Sequence, residues 1–126
     1  MGKHQIEALA KDIYDFLIKY EMWMDVYIYF NGICWGTSNK EGNKFAYNGT
    51  PFIYEDDPRK YFEYVGDILS MSFEGPLYEL LNGYIPYSPV AYKYYSKLYE
   101  EFRSIFDKYG LYFELGNAWN LTAAEK

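Results

Sequence analysis

The sequence predicts an α+β fold: a single domain spanning residues 1–126, with an antiparallel sheet packed by an N-terminal helix and a long C-terminal helix, and short helices in between. Three observations predict it. Apolar residues recur every three or four positions near both ends of the chain. The segments between and after them switch to a two-residue alternation. Half of the 126 residues are apolar and 23% are aromatic, enough to bury a core without disulfides or metals.

In the first element Ile6, Leu9, Ile13, Phe16, Leu17 and Tyr20 are spaced for one helical face, with Glu7, Lys11, Asp15 and Lys19 between them. That pattern predicts an amphipathic helix over about residues 4–21. "MDVYIYFNGICWGTS" follows. Its Asn31-Gly32 step supplies the two positive φ angles of a type I′ turn and sets residue 30 opposite residue 33. Val26, Ile28, Phe30, Ile33 and Trp35 then share one face, read as core, while Asp25, Tyr27, Tyr29, Cys34 and Gly36 share the other. "FAYNGTPFIYE" predicts one or two further short strands. Asp57-Pro58 has the form of a helix N-cap followed by proline, and predicts a short helix over "PRKYFEYVG", ending near Gly66. "DILSMSFEG" alternates as a strand. Gly75-Pro76 opens another short helix that Asn82-Gly83 stops. After the link "YIPYSP", Ser88-Pro89 repeats the cap-then-proline start. Ala91, Tyr95, Leu98, Phe102, Ile105, Phe106 and Tyr109 form the stripe of the longest helix, closed by Gly110. "LYFELGNAWNLTA" ends the chain as one or two strands broken near Gly116.

Composition narrows the function. A formal charge of −6 opposes direct nucleic-acid binding, which needs clustered Lys and Arg. The single cysteine, Cys34, forms no internal disulfide and reads as a small buried hydrophobe. The sole histidine, His4, lies at the start of the first helix. Neither "HExxH", "CxxC", "GxxxxGK[ST]" nor "GxSxG" occurs, so no catalytic residue, metal site or cofactor is assigned. The N-terminus lacks an apolar signal core and no run approaches a membrane span, which predicts a cytoplasmic protein without membrane contact. The glycosylation-like triplets at Asn48 and Asn120 then read as accidental.

Two features remain as candidate protein-binding sites. Glu55, Asp56, Asp57, Glu63 and Asp67 crowd into "EDDPRKYFEYVGD", and the stretch from residue 45 to 92 carries seven acids against two bases. Asp57 is read as the helix cap; Glu55, Asp56, Glu63 and Asp67 are read as a patch that meets a basic partner surface. Tyr27 and Tyr29 are expected partly exposed, because tyrosine offers contact area at low entropic cost. With seventeen tyrosines in the chain, Tyr14, Tyr54, Tyr78, Tyr84, Tyr87, Tyr92, Tyr94 and Tyr99 are further surface candidates.

The segments "SMSFEGPLYELLN" and "YGLYFELGNAWNLTA" give the chain a resemblance to the small acidic accessory proteins of bacterial conjugative elements and phages, of the anti-restriction and anti-CRISPR kind. The resemblance implies a non-enzymatic inhibitor whose partner is a basic, nucleic-acid-handling defence enzyme. It transfers no functional residue. Two other readings stand beside it. One is a small enzyme or ligand-binding protein with a cleft lined by Tyr and carboxylates, suited to a sugar-like or cationic molecule. The other is a housekeeping homodimer whose tyrosines seal the subunit interface.

Overall fold

The computed structural model describes residues 1–84 and 87–126, which leaves Ile85 and Pro86 of the predicted "YIPYSP" link outside the described residues. The order is α1 (Lys3–Lys19), β1 (Val26–Phe30), β2 (Ile33–Gly36), β3 (Phe52–Glu55), a 3-10 turn (Pro58–Lys60), β4 (Leu69–Phe73), α2 (Gly75–Leu81), α3 (Pro89–Asp107), β5 (Leu111–Asn117) and β6 (Asn120–Glu125). The six strands form one sheet in the order β3-β2-β1-β4-β6-β5, and every neighbouring pair is antiparallel. The protein is an α+β domain.

The Asn31-Gly32 turn forms as its residues require. Both have positive φ (50° and 79°), and Phe30 pairs with Ile33. That register places Val26, Ile28 and Phe30 of β1 on the helix-covered face, fully or almost fully buried, with Ile33 and Trp35 packed at its edge. From β4, Leu69, Met71 and Phe73 join them, and from β6 Leu121 and Ala123. Helix α1 contributes Ile6, Leu9, Ile13, Phe16 and Leu17; α2 contributes Leu77, Leu80 and Leu81. Helix α3 contributes Leu98, Phe102 and Phe106, and the last two rings lie 5.3 and 5.2 Å from that of Phe113 on β5. Ser88 caps α3 by accepting a hydrogen bond from the Ala91 N–H. Gly110, at φ 72°, follows the helix and turns the chain into β5. The break expected near Gly116 is a register shift between Leu115 and Asn117 just before the β5–β6 turn.

One expectation changes. Only Pro58–Lys60 of the predicted helix over "PRKYFEYVG" is helical, as a 3-10 turn. Tyr, Phe and Val fill the centre of that stretch and give it poor helix propensity, and so short a helix has little stability of its own. From Tyr61 the chain instead runs irregularly across the sheet, where the Gly66 N–H donates to Thr122 Oγ1 at 2.9 Å. Of the one or two strands expected in "FAYNGTPFIYE", one forms, β3, and Phe45 makes an isolated bridge with Ser38. Its neighbour Asn48 serves as a bracket, with its side-chain oxygen accepting from the Trp23 N–H at 3.1 Å. Asn120, in the other triplet, is buried.

Candidate protein-contact surface

The sheet's second face carries no helix, and residues 56–67 cover it as a strap. Asp57 holds the near end. Its carboxylate accepts from the Arg59 N–H at 2.9 Å and from Arg59 Nε and Nη2 at 3.0 Å, and the guanidinium keeps this carboxyl below its ordinary range. Asp56 is folded inward, with its side chain only 3% exposed. One oxygen accepts from the Asp57 N–H at 2.9 Å and the other from the Tyr61 hydroxyl at 2.8 Å, with Lys60 Nζ at 3.8 Å. A buried carboxylate is tolerated only when satisfied in this way. Asp56 is therefore a structural anchor, and its assignment to the contact patch is corrected.

Phe62 is the central plug. It packs with Tyr29 and Cys34 in a second buried cluster, flanked by Tyr27, Tyr54 and Val65. Its ring meets Tyr29 at 6.0 Å and Trp119, from the β5–β6 turn, at 5.9 Å. Tyr29 is consequently only 6% exposed, which corrects the expectation that it presents a face to a partner. The alternation of β1 was read correctly, but both of its faces are covered. Burial raises the Tyr29 and Tyr54 hydroxyls above their ordinary range and pushes the Cys34 thiol up to about 12, so Cys34 behaves as the inert hydrophobe its setting suggests. Tyr27 is half-buried, with its hydroxyl bonded to Ser38 Oγ. Its ring lies over Gly36, where an added Cβ would come within 2.7 Å of it.

The outer side of the strap is different. Glu63 and Asp67 are exposed and enter no ion pair among the described residues; Glu55 is likewise exposed and unpaired, but it ends β3 opposite Ile33, on the helix-side face of the sheet. The same segment carries exposed Tyr61 and Tyr64, at 51% and 66%, and Trp119 (38%) packs on its Phe62. Sequence reasoning passed over Tyr61, Tyr64 and Trp119. A signal was present: in "KYFEYVG", Phe62 and Val65 point to the sheet while Glu63 and Tyr64 point away and Tyr61 lies half exposed between them, so an acid and an aromatic of one short segment share its outer side.

Between this strap, the Asn31-Gly32 turn and residues 65–70 lies a cleft of about 550 Å³. Tyr29, Phe30, Ile33 and Leu69 line it together with Glu55, Asp56, Asp57, Asp67, Lys40, Arg59 and Lys60. Most of these charges are already engaged: Arg59 with Asp57, Lys60 with Asp56, and Lys40 with the Glu55 carbonyl at 3.2 Å. Among the described residues no three His, Cys, Asp or Glu side chains converge as around a metal ion, and no helix is long and apolar enough to cross a membrane.

Of the other tyrosines proposed for the surface, Tyr84, Tyr87, Tyr92 and Tyr94 are exposed, whereas Tyr14, Tyr54, Tyr78 and Tyr99 are half-buried. Comparison with protein-family models, curated proteins and solved structures finds nothing that matches this chain.

Proposed function

We propose that the chain is a non-enzymatic protein-binding module, and that the outer side of the strap is its contact surface. One observation carries the reading. Exposed Tyr61 and Tyr64 share the strap with two exposed carboxylates, Glu63 and Asp67, that have no ion-pair partner among the described residues, and exposed Trp119 packs on Phe62 of the same segment. Aromatic anchors supply binding energy when a partner desolvates them, and unpaired acids around them steer a basic partner and reject an acidic one. The partner class suggested by the resemblance, a nucleic-acid-handling defence enzyme, presents such a basic surface, and occupying that surface would deny it to DNA or RNA.

The test is inhibition of purified restriction and CRISPR nucleases by the protein and by a Glu63→Lys/Asp67→Lys variant. The expected result is that one nuclease loses cleavage activity with the native protein and recovers it with the variant. Inhibition that survives the charge reversal would remove this surface from the reading, and a full panel without inhibition would remove the partner class. A second reading draws on the cleft: its apolar floor and the free carboxylates of Glu55 and Asp67 would suit a small organic cation. Saturable binding of such cations, unaffected by Tyr64→Ala, would favour it.

A further inference from the structure

We infer that the strap, residues 56–67, is a lid that opens from the second face of the sheet on its own, uncovering Cys34 while the helix-covered core stays folded. The inference holds whether or not the strap meets a partner. It rests on how differently the two faces are held. On the helix side, two long helices and α2 bury a continuous core against five strands. On the strap side the cluster has six members, of which Tyr27, Tyr29, Cys34 and Tyr54 belong to the sheet itself and only Phe62 and Val65 come from the strap.

The strap is also poorly hydrogen-bonded. Its backbone-to-backbone bonds after Asp57 are confined to the single turn that joins Lys60, Tyr61 and Phe62 back to Asp57 and Pro58. From there to β4, the Gly66 N–H bond to Thr122 is what ties it to the sheet. Beneath it the sheet presents Ser70, Ser72 and Thr122 along β4 and β6, residues that water can solvate when the cover lifts. Opening therefore forfeits the burial of Phe62 and Val65, the cover they give Tyr29 and Cys34, and a few hydrogen bonds, still less than the whole helix-side core. Segments with few apolar contacts and few internal hydrogen bonds open below the cost of global unfolding.

Cys34 reports the motion, being the only cysteine and 0% exposed when the strap is closed. The experiment measures the rate at which a thiol reagent modifies Cys34 in the native protein, with global stability taken from urea melts of the same samples. Modification is expected at least tenfold faster than global unfolding allows, with a shallow dependence on urea because little surface is exposed. Phe62→Ala should raise the rate on the order of tenfold or more, since its packing is lost in the open lid. Ile13→Val gives the decisive comparison, because Ile13 lies in α1 on the opposite side of the sheet and is 0% exposed. It should lower global stability by about 0.5–1.5 kcal/mol and leave the modification rate within about twofold, since an open strap does not disturb α1. If Ile13→Val instead speeds modification by the same factor by which it weakens folding, Cys34 is reached only through global unfolding and the lid does not exist.

Discussion

Removing the Tyr29 ring tests whether the second face of the sheet is a true core layer. Tyr29 is 6% exposed, sits between Cys34 and Phe62, and has the Tyr61 and Phe62 rings at 6.1 and 6.0 Å. Truncation to alanine withdraws on the order of 150 Å² of buried side chain, worth ~4 kcal/mol at about 25 cal/mol per Å². Large-to-small substitutions of buried aromatics cost a similar 3–5 kcal/mol or so once the cavity is included. A domain of this length has roughly 6–15 kcal/mol in total, so Tyr29→Ala should remain folded but lose a large share of its margin. In urea melts, with a slope of ~1–3 kcal/mol per M, the midpoint should fall by about 1.5–3 M. Tyr64→Ala is the control: at 66% exposure it should shift stability by no more than ~0.5 kcal/mol. A Tyr29→Ala loss below about 1 kcal/mol would falsify the buried second layer, and with it the view of Phe62 as a plug.

Ile28 is 0% exposed on the helix side, and Ile28→Ala should cost about 2–5 kcal/mol in the same melts; a loss under ~0.5 kcal/mol would reverse the assignment of faces. Gly36→Ala places a Cβ 2.7 Å from the Tyr27 ring and should destabilise by about 1–3 kcal/mol, whereas Gly36→Ala/Tyr27→Ser, which removes the clash, should recover part of that loss when melted alongside. Asp12 is held below its ordinary 3.8: burial pulls its carboxyl upward, but hydrogen bonds from Tyr109 and Lys108 together outweigh it. A folded-state value below the unfolded one gives stability that is complete above 3.8 and is lost as pH falls through the depressed value, so Asp12→Asn should flatten the acid limb of a stability–pH curve. Tyr109 moves the other way, up to about 12, chiefly through burial and then its bond to Asp12. Its contribution is complete below the ordinary 10.0 and lost as pH rises towards 12, and Tyr109→Phe should reduce the alkaline fall in stability over that interval.

Most of the fold was legible because periodicity and turn chemistry agreed. The Asn31-Gly32 step fixed the register of β1 and β2, and the Ser88-Pro89 and Gly110 signals bracketed α3. The strap was not legible, for a physical reason. Asp57-Pro58 is a genuine cap, and its side chain does accept the Arg59 N–H. What continues a helix after its cap is packing and propensity, and here both favoured an irregular path that drops Phe62 onto the sheet. Misreading that one segment left β1 with an open outer face in the sequence view, so Tyr29 was expected partly exposed and Asp56 a free acid, while Tyr27 is half-buried as its setting allowed. Glu55, Glu63 and Asp67 are exposed in either reading, because charged groups stay in water wherever the backbone takes them.

The surplus of tyrosines resolves into two populations, and the division bears on which residues can meet a partner. Tyr14 donates to the Gly49 carbonyl at 2.6 Å, Tyr47 to Asp25 at 2.8 Å, Tyr61 to Asp56 at 2.8 Å and Tyr109 to Asp12 at 2.6 Å; Tyr20 donates to Glu101. All but the Tyr61 bond, which closes a turn within the strap, join separate stretches of chain, using the ring as packing and the hydroxyl as a tether. Four of these five acceptors are carboxylates, which keep their charge but are fixed in place by the bond. For a partner, where the acids are held therefore matters more than the total of −6. Within the strap, Tyr61 is tethered to Asp56 while Tyr64 stands 66% exposed beside Glu63, one of the acids free of internal ion pairs. Replacing Tyr61 disturbs the anchor and the surface together; replacing Tyr64 disturbs the surface alone. Tyr64→Ala is therefore the substitution that separates a binding role for the strap from its role in covering the sheet.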